Sequence, residues 1–265
     1  MRFALLAVVL FVFLFPFYWI LKTSIEPASI IYGDIIAVPG GFTLEHYESA
    51  INSGFLNAVQ NSLIVAIGAT VLTTGASLIG AYAILRYEFR GRSGAAKMVL
   101  LTYMFPHVAL IVPMYYLVSA FGLIDTPPVL ILIHSMLALP FCIWILQAFL
   151  EEIPEELEEA AMVEGATRFE AFMRITVPQA FPGIIAAGTF AFIMSWGEYM
   201  FAYILMPGRG SDTVPVALNA LLGSYAIDWG MLAAASVIAT LPVLAIFWLM
   251  AKYLGRGIAK GAGVT

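Results

Sequence analysis

The acidic side chains of this chain are concentrated in one short segment, where they could pair with a basic partner surface. Eight of its 17 Asp and Glu residues lie within residues 151–170: Glu151, Glu152, Glu155, Glu156, Glu158, Glu159, Glu164 and Glu170. Glutamates alone would favour a solvated acidic loop. Here Ala160 and Ala161 stand among them, with side chains short enough for a partner's backbone to approach, and Gly165 follows. We therefore interpret the segment as a partner-binding surface whose glutamates set the register through ion pairs.

Few other residues have types or spacings that could carry catalysis. Glu198 is the one carboxylate deep in an apolar stretch, so it lines a pathway, pins its segment to a neighbour, or is a protonated or hydrogen-bonded structural residue. His107 and His134 have no further ligands nearby in sequence, which favours helix packing over metal binding. Residues 91–97 lack the ending of a phosphate-binding loop, and the lone Cys142 excludes an intrachain disulfide. The sequence predicts no catalytic, cofactor-binding or metal site.

The composition requires lipid as part of the solvent. The chain has 265 residues, of which 62% are hydrophobic and 11% charged, and its mean hydropathy is +0.95. An ordinary soluble domain is about 45–50% apolar and about 25% charged. The net charge of −5 also argues against a nucleic-acid partner, which usually needs a basic face.

Six stretches approach the roughly 20 mostly apolar residues that a membrane span needs. They cover residues 3–21, 58–83, 98–121, 129–149, 180–205 and 231–251. Each is predicted to be a helix, because lipid offers backbone groups no hydrogen-bond partner. The first is a retained span rather than a signal peptide, since the Pro-Phe-Tyr-Trp sequence at 16–19 does not resemble a small-residue cleavage site.

Basic residues flank these stretches unequally. Ten lie on one side, namely Arg2, Arg86, Arg90, Arg92, Lys97, Arg168, Arg174, Lys252, Arg256 and Lys260, while Lys22 and Arg209 lie on the other. Because basic residues collect in the cytoplasm, both termini and the acidic segment are predicted to be cytoplasmic. The predicted organisation is a first transmembrane helix at 1–22, an extracytoplasmic loop at 23–57, a five-helix core at 58–251 with a cytoplasmic loop at 151–178, and a cytoplasmic tail at 252–265.

The first half of the cytoplasmic loop is predicted to form a short helix. Pro154 suits the first turn, where its missing N–H costs nothing. The glutamates that follow favour the positive end of the helix dipole. Gly165 predicts where this helix stops.

The second half of the loop is predicted to form another helix. Thr167 with Glu170 three residues later is a capping-box pattern, in which each side chain bonds the other's backbone. This helix would show Phe169, Phe172 and Met173 on one face. A span, a helix, a glycine turn, a second helix and a further span therefore follow in order.

The loop resembles the EAA loop of the permease subunits of binding-protein-dependent ABC importers. The matching residues are Glu159-Ala160-Ala161, three further residues, Gly165, nine further residues and Ile175-Thr176-Val177-Pro178, in which Val177 replaces the family's Leu. The resemblance covers nearly the whole chain. It implies an all-α integral membrane protein with the type I ABC importer (MetI-like) fold: six transmembrane helices, both termini cytoplasmic, and a coupling helix between the fourth and fifth spans.

The resemblance also implies the partners. The coupling helix would sit in a cleft on a separate cytoplasmic ATPase, which is present in two copies and holds ATP and Mg, while this chain is no enzyme and holds no cofactor. A second, related permease would complete a heterodimer in the cytoplasmic membrane of a prokaryote, and an extracytoplasmic solute-binding protein would deliver the solute. The implied ATPase-coupling residues are Glu159, Ala160, Ala161, Met162, Gly165, Ala166, Arg168 and Phe169.

Other segments resemble the carbohydrate-uptake branch of this family, the MalG-like sugar permeases. They are Asn61-Ser62-Leu63, the Gly-Ala-Tyr-Ala sequence at 80–83 with Arg86, and Ser195–Tyr199, where Gly197 replaces the expected Asn. Residues 257–263 are a weak version of the branch's ending. The branch implies that the solute is a mono-, di- or oligosaccharide moved by alternating access.

The expected pathway is rich in aromatic side chains and poor in charge, which favours a neutral solute. We predict that Trp196, Glu198, Tyr199 and Tyr115 line it. The first alternative is a permease of the same class for an amino acid, a polyamine or an anion. An ion-coupled transporter or an intramembrane enzyme is the second, and either would need more carboxylates or histidines within the spans.

Overall fold

Backbone groups in hydrocarbon must bond one another, and this chain meets that requirement with helices. The computed structural model describes residues 2–33, 38–208, 210–223 and 226–261, and within these ranges it contains helices and no strand. Arg209, which entered the count of basic residues, and residues 262–265 of the predicted tail lie outside the described residues.

The helices follow one another with short connections. They are α1 (Arg2–Ile25), α2 (Ala28–Ile31), α3 (Glu45–Asn52), α4 (Phe55–Arg86), α5 (Arg92–Tyr103), α6 (Ile111–Ala120), α7 (Pro127–Glu151), α8 (Glu156–Val163), α9 (Arg168–Ala171), α10 (Val177–Gln179), α11 (Phe181–Trp196), α12 (Met200–Leu205), α13 (Val214–Leu222) and α14 (Trp229–Gly261). A 3₁₀ turn at His107–Leu110 precedes α6. A π-helical segment at Phe172–Thr176 joins α9 to α10.

Four of these helices are long and apolar enough to cross a membrane. They lie at Val8–Ile25 within α1, at Phe55–Arg86, at Pro127–Glu151 and at Trp229–Met250 within α14. The helical stretches Arg168–Gln179 and Phe181–Trp196 meet at an angle of 74° and would make a fifth span if counted as one. Length and composition within the described residues therefore give four spans, or five with the bent pair.

Two of the predicted continuous helices are interrupted. The stretch predicted at 98–121 is divided, because Pro106 lacks the N–H that a continuing helix needs and its backbone is extended. The stretch predicted at 180–205 is divided between Trp196 and Met200, at the segment that contains Gly197 and Glu198. Periodicity and hydropathy alone do not detect such breaks, since the residues on both sides remain apolar.

The contacts divide the chain into two units: residues 1–62 with 208–244, and residues 63–207 with 245–265. In the second unit, α7 packs along α11. Its core is formed by buried side chains of α4, α7, the π-helical segment and α11: Ala81, Tyr82, Ala138, Cys142, Ile143, Leu146, Leu150, Phe172, Ala187 and Ala191. Small residues let the helices approach closely, since a Cβ built on Gly183 of α11 would lie 2.6 Å from Cγ of Phe149 of α7.

The first unit contains a buried carboxylate at the end of α1. Glu26 pairs with Lys22 one turn earlier, and its Oε1 accepts the backbone N–H of Gly40 at 3.0 Å. The carbonyl oxygen of Glu26 accepts a hydrogen bond from Nε2 of His46 at 2.8 Å. These contacts tie the end of α1 to the following loop and to α3.

We expect Gly183→Ala to destabilise the chain, because its new Cβ must displace the Phe149 ring. Overpacking of a tight interface costs about 1–3 kcal/mol. The matched control is Gly75→Ala in α4, where a Cβ meets no atom within 4 Å and alanine favours the helix. The thermal midpoint of the purified, detergent-solubilised chain measures both effects. Equal midpoints for the two variants would contradict the close α7–α11 contact.

Candidate functional site

The loop at 151–178 forms two short helices joined at a glycine. The first helix, α8, ends at Val163, and Gly165 has φ +100°, a left-handed conformation that favours glycine. At the start of α9, the backbone N–H of Thr167 donates to Oε2 of Glu170 at 2.8 Å, and the backbone N–H of Glu170 donates to Oγ1 of Thr167 at 3.2 Å. The predicted glycine stop and the predicted capping box are both confirmed.

Electrostatics also stabilise the capping box. The backbone N–H and the hydroxyl group of Thr167, followed by the charge of Arg174, lower the pKa of Glu170. A lowered pKa favours the carboxylate that accepts these hydrogen bonds. The capping box is therefore complete at neutral pH, and its contribution is lost only as the pH falls through the lowered pKa in acid.

The predicted ATPase-coupling residues lie on an accessible surface. Glu159, Ala160, Gly165, Arg168 and Phe169 are exposed, and Ala161, Met162 and Ala166 are partly buried. Phe169 in α9 is 71% exposed, and Val163 at the end of α8 is 89% exposed. A cavity of about 350 Å³ lies between the two helices, lined by Ala161, Glu164, Gly165, Ala166, Glu170 and Arg174. Val163 and Phe169 therefore add exposed apolar area beside the charged side chains of the loop.

The predicted shared face of the second helix is wrong. Phe172 is buried in the core, where its ring lies 4.5 Å from the ring of Tyr82, whereas Phe169 is exposed and Met173 is 47% exposed. The chain changes from α-helix to π-helix at Phe172, and this change shifts the angular spacing of the side chains. Phe172 therefore helps to attach the loop to the core, whereas Phe169 lies on the outer surface of the loop.

One glutamate of the acidic segment differs from the others. The side chain of Glu158 in α8 is only 4% exposed. Its Oε2 accepts a hydrogen bond from the hydroxyl group of Tyr82 at 2.6 Å, and its Oε1 accepts from Oγ1 of Thr176 at 2.7 Å and from Nε of Arg86 at 3.2 Å. Nη2 of Arg86 also donates to the carbonyl oxygen of Ile153 at 2.6 Å. The carboxylate thus joins α8 to the end of α4 and to the π-helical segment.

Sequence reasoning did not identify Glu158. Its partners did stand in segments noted for their resemblance, since Tyr82 and Arg86 follow Gly80 and Thr176 lies within the Ile-x-Leu-Pro pattern. Tyr82 and Arg86 are four residues apart and therefore share a helix face. That spacing indicates a common polar partner, but which of eight glutamates it is depends on the tertiary structure.

Glu198 lies at the break between α11 and α12. Its two carboxylate oxygens accept the backbone N–H groups of Phe201 and Ala202 at 2.9 and 3.1 Å. Oε2 also lies 3.2 Å from Nε2 of His134 on α7, and Nδ1 of His134 lies 2.7 Å from Oγ of Ser195. Of the interpretations of Glu198 from the sequence, these contacts support a hydrogen-bonded structural residue that pins its segment to a neighbour.

The other predicted pathway residues are aromatic side chains on α11, on α6 and in the break before α12. Trp196 is buried and stacks on Phe192, with ring centroids 5.6 Å apart. Tyr199 stacks on Tyr203 at 5.4 Å. Tyr115 lies on α6, which contacts α12, and is 41% exposed.

No metal centre is formed by the residues that the structure describes. Within those ranges no group of three or more His, Cys, Asp or Glu side chains is arranged to hold a metal ion. In the second unit, the structure brings together the loop residues around Glu158 and the cluster of Glu198, His134 and Ser195. Both clusters hold helices in place.

Comparison with known proteins gives a family and a fold. Residues 74–260 match the family described as binding-protein-dependent transport system inner membrane component. The chain is 34% identical over 263 residues to the diacetylchitobiose uptake system permease protein DasC of Streptomyces coelicolor, covering 97% of this chain and 94% of that protein. It is 33% identical over 252 residues to the trehalose transport system permease protein SugB of Mycobacterium tuberculosis, covering 94% and 92%.

The fold is similar to that of a solved transporter. A chain in the crystal structure of a bacterial ABC transporter involved in the import of the acidic polysaccharide alginate superposes with a TM-score of 0.84, at 20% sequence identity. The match covers 95% of this chain and 94% of that chain. At this identity the likeness concerns the fold.

We expect Glu198→Ala to destabilise the second unit, because it removes the acceptor for two backbone N–H groups and the carboxylate beside His134. Leaving such buried groups without a partner costs about 1–3 kcal/mol. The control is Thr189→Ala in α11, whose hydroxyl bonds only the carbonyl of Ile185 one turn earlier. Thermal midpoints in detergent compare the two. A loss no greater than that of the control would show that Glu198 does not pin the break.

Proposed function

Because the chain belongs to the family of binding-protein-dependent transport system inner membrane components, we propose that it is the permease through which such a system imports a sugar. It is a multi-pass protein of the cytoplasmic membrane, and its family is a transport component rather than an enzyme. The match of residues 74–260 to the family carries the proposal. The geometry of the described residues and the distribution of charge support a topology, a contact with the ATPase, a mechanism and a class of solute.

The proposed topology has six spans with both termini in the cytoplasm. Four spans are the long helices within α1, α4, α7 and α14. The other two are the interrupted segments, namely α5 with α6, and α11 with α12. An even number of spans brings the termini to one side, in agreement with the excess of basic residues there. On this topology the loop with α8 and α9 is cytoplasmic.

The proposed contact with the ATPase is the outer surface of α8 and the turn after it. Ala160 and Gly165 carry little or no side chain, so a partner's backbone can come close, and Glu159 and Arg168 offer charges for pairing. Val163 and Phe169 add exposed apolar area. ATP and Mg would be bound by the ATPase, since this chain needs only to receive a displacement.

The proposed mechanism is alternating access. Two copies of the ATPase would close on ATP, bring the coupling helices of this chain and of a second, related permease together, and rock the spans. An extracytoplasmic solute-binding protein would deliver the solute to the opened cavity. A short helix with a fixed turn suits this role, because it transmits displacement and performs no chemistry.

The proposed solute is a neutral mono-, di- or oligosaccharide. The uptake systems of DasC and SugB are named for diacetylchitobiose and trehalose, which are both disaccharides. The predicted pathway residues offer aromatic faces from Trp196, Tyr199 and Tyr115. Its one carboxylate, Glu198, is already engaged by two backbone N–H groups and lies beside His134. An amino acid, a polyamine or an anion would need a charged group in the pathway to pair with. The Glu198 carboxylate does not serve this purpose, because its existing contacts already occupy it.

We expect neutral disaccharides to be imported in preference to charged solutes. The chain is reconstituted in proteoliposomes with its second permease, its ATPase and its solute-binding protein, and ATP-driven uptake of labelled sugars, amino acids, polyamines and anions is compared. The control is the same vesicles without ATP. ATP-driven uptake of a charged solute and of no sugar would contradict the assignment while leaving the importer itself intact.

We expect Ala160→Trp to release the ATPase without disturbing the permease. Ala160 is exposed, so the indole does not enter the core, but it fills the space that a partner's backbone would use. Retention of the ATPase should weaken by about tenfold or more, which corresponds to about 1.4 kcal/mol. The control is Glu152→Trp, an exposed residue of the same loop outside the EAA pattern. Equal co-purification of the ATPase with both variants would exclude this contact surface.

A further inference from the structure

We propose that Glu158 is the residue that transmits movement from α8 to the spans. The proposal rests on the proposed coupling function and adds to it a specific positioning residue. It concerns the inner face of α8, opposite the surface offered to the ATPase, and the contacts of one carboxylate with three side chains from two other parts of the chain.

Glu158 is the only buried residue of α8, all of whose residues are described. The neighbouring Leu157 is 42% exposed, and Glu156, Glu159 and Ala160 are exposed. Ala161 and Met162 of α8 are only partly buried, so apolar packing between α8 and the rest of the chain is limited. Glu158 is the one side chain of α8 that is fully enclosed.

The backbone connection that follows α8 is less suited to this task. On one side α8 continues into the turn at Gly165, an exposed glycine with φ +100°. On the other side it follows Ile153 and Pro154 at the end of α7. A connection through a glycine turn can bend, because glycine allows a wide range of backbone angles.

The carboxylate contacts are short, buried and directed at different elements. Tyr82 and Arg86 hold Glu158 from α4, and Thr176 holds it from the segment that leads into α11. Hydrogen bonds to a charged group are stronger and more directional than apolar contacts, particularly where water is excluded. Arg86 also bonds the carbonyl of Ile153, so the same guanidinium fixes the end of α7. Displacement of α8 would therefore move these three elements together.

A purely structural role is the alternative, and the two differ in what they predict. If Glu158 only helps the loop to fold, its loss lowers ATP hydrolysis and solute uptake in proportion. If it transmits movement, its loss leaves the ATPase bound and active while less solute moves per ATP hydrolysed. The ratio of solute imported to ATP consumed therefore distinguishes the two roles.

The test variant is Glu158→Gln in the complete complex in proteoliposomes. Glutamine keeps the shape and one acceptor but removes the charge that pairs with Arg86. We expect the complex to retain its ATPase and the ratio of solute imported to ATP consumed to fall severalfold. The matched control is Glu88→Gln, which removes one exposed carboxylate charge just after α4, outside the loop, and should keep the native ratio.

Two milder variants keep the proposal testable if Glu158→Gln does not assemble. Tyr82→Phe removes one donor but keeps the ring beside Phe172, and Thr176→Val removes another. Each should lower the ratio by less than Glu158→Gln does. A native ratio in these variants, or a proportional loss of hydrolysis and uptake in Glu158→Gln, would overturn the proposal.

Failure of the proposed function gives a different result. If the native complex imports a solute other than a sugar, the ratio is measured with that solute and the inference about Glu158 is tested unchanged. If the native complex hydrolyses ATP and imports nothing, the importer assignment fails before any variant is compared.

Discussion

The absence of hydrogen-bond partners in hydrocarbon is the constraint on which this structure depends. Continuous helices satisfy it within themselves, but a helix that breaks inside an apolar segment exposes backbone N–H and C=O groups. At the break after Trp196, the Glu198 carboxylate accepts two of the freed N–H groups at the start of α12. Glu198, an acidic residue in an apolar segment, is thus the group that allows the helix to break there.

The buried Glu158 and the partly buried Glu198 of the second unit both join helices, but with different partners. Glu198 lies beside His134 and caps a helix within one apolar segment. Glu158 pairs with Arg86, and it joins elements that are distant in the sequence. A cap needs acceptors for nearby N–H groups, whereas a link between α8 and the spans needs a contact that is costly to break. An enclosed ion pair meets the second requirement, because removal of either partner leaves an uncompensated charge.

Local features of the loop were predictable from the sequence, and long-range contacts were not. The turn at Gly165 and the capping box of Thr167 with Glu170 depend on residues within a few positions of one another, and both are present. The long helices at α4, α7 and α14 follow from hydropathy. The breaks at Pro106 and at Gly197 were missed, because proline and glycine are tolerated within spans and neither residue requires a break. The role of Glu158 was missed because its partners are 72 and 76 residues earlier.

Adjacent residues of α8 serve opposite faces, and this arrangement explains why so short a helix suffices. Successive helical residues point about 100° apart, so Glu158 faces inward while Glu159 and Ala160 face outward. The outer face can then carry the small side chains and exposed charges that a partner needs. The contacts of Glu158 on the inner face are not weakened by this. The inner face needs one strongly held group, since apolar packing there would tolerate sliding that a charged, three-donor contact resists. An eight-residue helix can transmit movement only if it binds the partner on one face and the spans on the other. The exposure of Ala160 serves the first contact, and the burial of Glu158 serves the second.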